Sequence, residues 1–155
     1  METPIECVIL TGIPAAGKTT FYRRYFAATH EHVSKDLWPG ARNRDERQRR
    51  AIESALASGR PVVVDNTNPT REARKAIITL AHRHGARVVG YFLDVPTRLA
   101  VARNAGRTGK AQVPKVAIFT VAKRLEPPVM HEGFDQLFTV TPGEDERFVM
   151  TERTG

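Results

Sequence analysis

Short apolar runs alternate along the chain with longer segments that have helical character. The run PVVVD at 61–65 is apolar almost throughout, as expected of a strand that is buried on both faces of a parallel sheet. The run CVILT before Gly12 is β-branched and apolar, and FDQLFTV near the C-terminus alternates well enough to form a strand. Strands are therefore predicted over 6–11, 32–36, 61–65, 87–94 and 134–140.

Turn residues and helix-stop signals separate these strands. Gly59 and Gly85 each follow a helical segment, and Asn68 or Thr70 can cap the helix that ends near His84. The segment AGRTGKAQ at 105–112 has two glycines and no apolar periodicity, which predicts a mobile loop. Helices are predicted over 18–28, 45–58, about 70–84, from 97 through Arg98 and Arg103, and over 114–125.

Strands that alternate with helices predict an α/β fold with a doubly wound parallel sheet of four to five strands. The length of 155 residues fits one domain over 1–155, with an acidic and irregular tail from about 143. No apolar run approaches the roughly 18 residues of a membrane span, and no secretory signal is evident. The single cysteine, Cys7, excludes an internal disulfide and favours an intracellular, cytoplasmic protein.

Charge is distributed unevenly along the chain. The formal net charge is +7, and arginine supplies 18 of the 24 basic residues. The stretch from Val95 to Leu125 contains no acidic residue, whereas the chain after it is mostly acidic. A basic centre of this kind favours an anionic partner, although a generally basic surface would give the same composition.

The segment GIPAAGKTT at 12–20 fits the pattern of a phosphate-binding loop between a strand and a helix. In such a loop, backbone amides and the positive end of the following helix bind polyphosphate oxygens. Lys18 would reach the β and γ phosphates of ATP, and the Thr19 hydroxyl would bind Mg²⁺. The candidate nucleotide-binding residues in the loop are Gly12, Ile13, Pro14, Ala15, Ala16, Gly17, Lys18, Thr19 and Thr20. Ala15 and Ala16 make this loop poor in glycine, so backbone strain is expected there.

Aspartates stand at the ends of three predicted strands, at Asp36, Asp65 and Asp94. The carboxyl ends of parallel strands share one edge of the sheet, so these residues should converge on the phosphate loop. Asp36 is a candidate for the base that accepts a hydroxyl proton; a helix cap or a ligand of magnesium-bound water are its other interpretations. Asp65 is a candidate Mg²⁺ residue, or an Asx-turn residue of DNTNP.

Several basic and aromatic side chains could serve the transfer reaction or its acceptor. Arg103 and Arg107 are four residues apart and could close over the transferred phosphoryl group, or form a solvated basic face. Arg42 and Arg44 precede the acids of their cluster and are candidates for an acceptor's phosphates. Trp38 could stack on a terminal base, and core packing is an equal alternative.

These residues resemble the 5′-hydroxyl polynucleotide kinases, the kinase domains of phage and eukaryotic end-healing enzymes. The blocks GIPAAGKTTF, SKDLW, VVVDNTNPTREAR, FLDVP, ARNAGRTGKAQVP and LEPPVMHEGFDQLFTV follow the family order over about residues 8–141. The resemblance implies a P-loop kinase fold with a lid, ATP and Mg²⁺ as cofactors, and a 5′-hydroxyl end of DNA or RNA as acceptor. No companion phosphatase or ligase domain is evident, so we expect a stand-alone kinase without a membrane partner.

The resemblance also implies individual roles. Asp36 would be the general base, Asp65 part of the metal network, and Arg107 the lid arginine on the nucleotide phosphates, with Arg103 beside the nucleotide. Val113, just before Pro114, matches a platform for the acceptor's terminal base.

The sequence departs from the family at Pro39, where some members carry an arginine for the acceptor's 3′-phosphate; Arg42 and Arg44, in the insertion that follows, are the candidates for that role here.

Two other functions fit the same fold. A small-molecule kinase acting on a nucleoside, an antibiotic or another metabolite would have a closed, neutral acceptor pocket. A nucleotide-binding adaptor or switch would have no acceptor, and Asp36 would be dispensable. The sequence does not distinguish DNA from RNA, nor does it indicate an oligomeric state.

Overall fold

A computed structural model describes residues 5–154, except for the side chains of Lys110 and Glu146. The strands are β1 Glu6–Thr11, β2 Glu31–Val33, β3 Val62–Asp65, β4 Arg87–Leu93, β5 Gln136–Pro142 and β6 Phe148–Arg153. They form one sheet with the strand order β2-β3-β1-β4-β5-β6. The first five strands in this order pair in parallel, and β6 pairs antiparallel with β5. The predicted α/β class is confirmed, and the sheet has one strand more than predicted.

Five helices flank the sheet: α1 Lys18–Tyr25, α2 Arg44–Ala57, α3 Arg71–Arg83, α4 Thr97–Ala105 and α5 Lys115–Arg124. Thr70 caps α3, because its side-chain oxygen accepts a hydrogen bond from the Ala73 amide. Helix α1 ends at Tyr25, before the predicted end near 28, because the chain turns at Phe26 towards β2. No helix within residues 5–154 is long and apolar enough to cross a membrane.

The core lies in two layers, one on each face of the sheet. Alternate residues of β1 point to opposite layers, with Cys7 and Ile9 in one and Val8 and Leu10 in the other. Because both faces are covered, the strands are apolar at nearly every position, as the sequence pattern indicates. Cys7 is fully buried, and burial, with Glu6 adding to it, raises the pKa of its thiol to about 12.

The segment after Pro142, where the sequence pattern predicts no regular element, forms a 3₁₀ turn over Glu144–Glu146 and then β6. The Phe148 ring packs edge-on against Phe21 of α1, with 5.2 Å between ring centroids. It also lies 3.6 Å from the position that a β-carbon on Gly17 would occupy. Strand β6 therefore packs one aromatic side chain against the start of α1.

Candidate active site

The phosphate loop is shaped by close backbone contacts after β1. The Gly12 amide donates to the Thr67 carbonyl, and a β-carbon at Gly12 would lie 3.2 Å from the Leu93 carbonyl oxygen. A side chain at this position would therefore require Leu93 to shift by a few tenths of an ångström. Ala15 has a φ of 65°, which is a left-handed conformation. This conformation is energetically unfavourable for a residue that has a β-carbon. The strain expected at Ala15 is thus present in the backbone.

Helix α1 directs free amides at the loop. Gly17 is its N-cap with a φ of 101°, and the first bond of the helix runs from the Phe21 amide to the Gly17 carbonyl. The amides of Lys18, Thr19 and Thr20 therefore have no partner inside the helix. Free amides at the positive end of a helix dipole are groups that can bind an anion, and the role predicted for this loop depends on them.

Lys18 folds back over this loop. Its ammonium donates to the carbonyl oxygens of Gly12 at 3.0 Å and Ile13 at 2.8 Å. The residue keeps some exposed surface, but these carbonyls enclose the charged end of the side chain. Burial lowers the pKa of Lys18 to about 8; the nearby Asp65 carboxylate opposes this shift, Arg107 reinforces it and Asp36 opposes it. Asp65, Arg107 and Asp36 therefore all lie within electrostatic range of Lys18.

Thr19 and Asp65 meet at the edge of the sheet. The Thr19 hydroxyl donates to Oδ2 of Asp65 at 2.9 Å, and Asp65 is only 4% exposed at the end of β3. The same Oδ2 accepts a hydrogen bond from Nε2 of His32 on β2, at 2.8 Å. Within residues 5–154, no group of three or more carboxylate, histidine or cysteine side chains is arranged to hold a metal ion. One hydroxyl and one carboxylate instead fit Mg²⁺ that arrives with polyphosphate, because Mg²⁺ takes few protein ligands in such sites.

Asp36 lies in a 3₁₀ turn over Lys35–Leu37 and not at the end of a strand. The prediction that β2 extends to Asp36 is wrong, because the Ser34 side chain accepts a hydrogen bond from the Asp36 amide and starts this turn. The Lys35 amide donates to Oδ1 of Asn66, which ties the turn to the loop after β3. The Asp36 carboxylate is exposed and faces solvent beside the phosphate loop.

The predicted lid contains Arg103 and Arg107 in different settings. Helix α4 ends at Ala105, so the two arginines do not share a helix face. Arg103 donates to the carbonyl of Ala16 in the phosphate loop at 3.2 Å, whereas Arg107 donates to the Ala111 carbonyl at 3.3 Å. Arg103 is thus held at the loop, and Arg107 stands in the segment that follows the helix.

Val113 is held in place by one side chain of α4. Asn104 accepts a hydrogen bond from the Val113 amide at 2.9 Å and donates one to the Val113 carbonyl at 2.8 Å. This pair of bonds closes the segment 105–112 and fixes the residue that precedes Pro114. The segment itself includes a 3₁₀ turn over Gly109–Ala111.

The acceptor candidates after Asp36 lie on an open surface. Trp38 packs against the core layer that contains Val62 and Val64 of β3. The Arg47 guanidinium lies 5.5 Å from the centroid of the Trp38 ring. The core-packing interpretation of Trp38 is therefore the one that its contacts support. Arg42 and Arg44 are both exposed, and Arg44 begins α2 after Asn43 in a left-handed conformation.

Two side chains near the site were not predicted. His32 contacts Asp65, and the sequence shows it only as one polar residue in a short strand. Arg74 is fully buried: it pairs with Glu132 at 2.9 Å and donates to the carbonyl of Asn68. Nδ2 of the Asn68 side chain donates in turn to the Leu10 carbonyl, so Arg74 supports the loop that follows Asp65. The signal available in the sequence was the position of Arg74 at the end of VVVDNTNPTREAR, a segment that resembles the polynucleotide kinases.

Comparison with known proteins identifies related chains. A family described as an AAA domain matches residues 7–128. A bifunctional polynucleotide phosphatase/kinase of Schizosaccharomyces pombe is 32% identical over 133 residues, which cover 83% of this chain and 32% of that protein. A protein of Acanthamoeba polyphaga mimivirus, provisionally given the same name, is 31% identical over 144 residues, with 88% and 33% covered. The chain thus spans about a third of the length of the curated relatives that it matches.

Solved structures show the fold. An unliganded sugar kinase from Janibacter superposes with a TM-score of 0.67 at 17% identity, covering 89% of this chain and 86% of that one. At this identity the likeness concerns the fold alone, and it confirms the predicted P-loop kinase architecture. The chain belongs to the AAA-domain family of nucleotide-binding P-loop proteins, and the predicted resemblance to polynucleotide kinases is confirmed.

Proposed function

We propose that the protein is an ATP-dependent kinase that transfers the γ-phosphoryl group to the 5′-hydroxyl end of a polynucleotide. The observation that carries this proposal is the setting of Asp36. This carboxylate stands beside the phosphate loop on an open rim, where Leu37, Arg42 and Arg44 are also exposed. An open basic rim fits a long anionic acceptor, whereas a kinase for a small neutral metabolite needs an enclosing pocket.

The proposed reaction uses residues that the fold brings together. The loop amides and Lys18 bind the β and γ phosphates, and Asp36 accepts the proton of the attacking hydroxyl as the new oxygen–phosphorus bond forms. The bond between the γ-phosphorus and the bridging oxygen breaks, and ADP leaves with the electron pair. Arg107 reaches the transferred group from the lid and balances the charge on its oxygens. Arg103, bonded to the Ala16 carbonyl, lies beside the nucleotide.

Mg²⁺ would be held by Thr19 and by Asp65, directly or through water, and Asp36 would contribute by contacting water on the ion. When bound, the ion neutralises charge that develops on the β and γ phosphates. The donor set supports this assignment, because the Thr19 hydroxyl gives its hydrogen to Asp65 and keeps its oxygen lone pairs for a cation.

The acceptor side has further features that suit a nucleic acid. Helix α5 carries exposed Lys115, Phe119 and Lys123 at intervals of four residues, so the three side chains lie near one another on one face. The amide of Glu126, just after α5, donates to the Pro69 carbonyl and places this helix beside the loop after β3. Phosphates and bases of a single strand are bound by such mixtures of lysine and aromatic side chains. Val113 is placed before this helix and would support the terminal base.

The proposal is tested by acceptor length. Phosphate transfer from ATP is measured to a nucleoside, a nucleoside 3′-phosphate and a short 5′-hydroxyl oligonucleotide. Efficiency should rise along this series because each added phosphate meets the basic rim. Equal efficiency throughout, or a preference for the free nucleoside, would favour a small-molecule kinase. ATP hydrolysis that no acceptor stimulates would favour the nucleotide-binding switch.

Salt dependence gives an independent measurement. Each phosphate of a single strand that the protein neutralises adds about 0.7 to the slope of log affinity against log salt concentration. Arg42→Ala combined with Arg44→Ala should flatten this slope for the oligonucleotide and leave the KM for ATP unchanged. The matched control is Arg60→Ala combined with Arg83→Ala, which removes the same charge from exposed sites near the amino ends of the strands, away from the phosphate loop. An equal change in both double variants would contradict the placement of the acceptor.

A further inference from the structure

Asp65 contacts two side chains, Thr19 and His32, and a third, Tyr22, packs against His32. Oδ2 of Asp65 accepts from the Thr19 hydroxyl at 2.9 Å and from Nε2 of His32 at 2.8 Å. The His32 ring is stacked on Tyr22, with 4.1 Å between ring centroids and 16° between planes. Thr19 and Tyr22 are three residues apart on α1 and so lie on one face of that helix. His32 thus connects β2 to α1, by its stack on Tyr22 and through Asp65 to Thr19.

The chemistry of these contacts fixes the direction of each hydrogen bond. An ionised carboxylate only accepts, so Nε2 of His32 carries a hydrogen and the Thr19 hydroxyl donates its own. Both donors meet the same carboxylate oxygen, which sets the plane of the Asp65 side chain. With its hydrogen committed to Asp65, the Thr19 oxygen turns its lone pairs away from Asp65.

We propose that His32 is a positioning residue for the metal-bound nucleotide: by holding Asp65, it orients the Thr19 hydroxyl towards Mg²⁺. This inference rests on the proposed function, because it concerns the same nucleotide site. Loss of a group that hydrogen-bonds to a ligand of a metal typically lowers the affinity for the metal by about 10- to 100-fold.

Burial explains why Asp65 needs this second donor. The carboxylate is 4% exposed, so water cannot satisfy the oxygen that Thr19 alone would leave poorly bonded. The stack on Tyr22 restricts rotation of the His32 ring. The Tyr22 hydroxyl is used elsewhere, since it donates to the His30 carbonyl at 3.0 Å. The ring of Tyr22 therefore acts on His32 by contact, and its hydroxyl does not reach Asp65.

The test measures ADP binding with and without Mg²⁺, using a fluorescent ADP analogue and no acceptor. In the wild type, Mg²⁺ should tighten binding. His32→Phe keeps a ring on Tyr22 and removes the donor, so the tightening by Mg²⁺ should fall by about 10- to 100-fold. Binding without Mg²⁺ should stay unchanged, because the loop amides and Lys18 are untouched. His32→Gln, which retains an N–H of similar reach, should restore most of the loss.

Tyr22→Phe is the matched control. It keeps the stack and removes only the bond to His30, so the effect of Mg²⁺ should equal that of the wild type. If His32→Phe does not fold, His32→Asn carries the same expectation, since its shorter amide does not reach Oδ2.

Two results would overturn the inference: an unchanged effect of Mg²⁺ in His32→Phe, or an equal loss of binding with and without Mg²⁺, which would mark a purely structural role. If the ADP affinity of the wild type is the same with and without Mg²⁺, both this inference and the metal role of Asp65 would be overturned. Normal Mg²⁺-dependent binding without transfer to oligonucleotides would refute the proposed acceptor and leave the role of His32 standing.

Discussion

Raising the pH should weaken nucleotide binding through one side chain, Lys18. A lysine in water has a pKa near 10.4. Burial in the phosphate loop lowers the pKa of Lys18 to about 8, with the carboxylate of Asp65 limiting the shift. A polyphosphate placed beside the ammonium favours its charged form, so the pKa of Lys18 must be higher in the complex than in the free protein.

The expected magnitude follows from this difference. With a pKa of about 8, roughly nine-tenths of Lys18 is protonated at pH 7 and only about 3% at pH 9.5. Binding takes up a proton wherever the free side chain is neutral and the bound one is charged. The affinity for ADP is therefore fully present below pH 7 and falls about tenfold per pH unit above pH 8. Between pH 7 and pH 9.5 the loss should reach roughly 30-fold if the pKa in the complex lies about one unit or more above 9.5.

The assay measures the affinity for ADP by fluorescence titration across this pH range. The buffer contains no Mg²⁺, so that hydroxide formation by the metal ion does not affect the result. Lys18→Arg is the control, because a guanidinium stays protonated throughout and its profile should be flat. Lys18→Ala should bind more weakly and also without pH dependence. A wild-type profile as flat as that of Lys18→Arg would refute the lowered pKa, the contact between Lys18 and phosphate, or both.

Substitutions at three residues test the remaining roles. Asp36→Asn should slow transfer by about 10²- to 10⁴-fold in single-turnover measurements with ADP affinity unchanged; a rate near that of the wild type would remove Asp36 from the base role. Arg107→Ala should lower kcat by about 10³-fold or more and ADP affinity far less, and Arg107→Lys should not restore the rate if two oxygens are held at once. Arg74→Met should lower the free energy of unfolding by about 3–5 kcal/mol in urea, because it leaves Glu132 buried without its partner; a loss below about 1 kcal/mol would make the pair dispensable.

The strands that build the centre of the sheet could be predicted from sequence. Strand β1 matches its prediction at 6–11, and β3 and β4 differ from theirs by a single residue at one end. These strands are buried on both faces, so their runs are apolar and end abruptly at turn residues. Parallel topology then predicts that the residues at the strand ends converge. The structure brings Asp65 to the phosphate loop in this way, and it brings Asp36 there through a different local conformation.

Elements with one exposed face could be predicted less well. Strand β6 has four consecutive exposed positions between its half-buried ends and pairs with β5 alone, so its sequence FVMTER lacks the apolar pattern of a buried strand. The end of β2 depends on whether the Ser34 side chain bonds to the backbone two residues ahead, a local choice that strand propensity does not settle. The same bond makes Asp36 part of a turn. Its position at the site therefore comes from a side-chain cap and from the bond between Lys35 and Asn66.

Pairings between distant side chains could not be predicted at all, although they hold the site together. His32 and Asp65 are 33 residues apart, and Arg74 and Glu132 are 58 apart. Hydrophobic periodicity records each of these residues as a polar interruption, because it reports burial and not partners. Yet a buried charge must find a partner, and the fully buried Arg74 finds its partners in Glu132 and the loop that follows Asp65. The buried carboxylate of Asp65 must also be hydrogen-bonded, and His32 and Thr19 both donate to its Oδ2. The geometry of the candidate site thus arises from satisfying buried polar groups, a condition that appears only once the chain is folded.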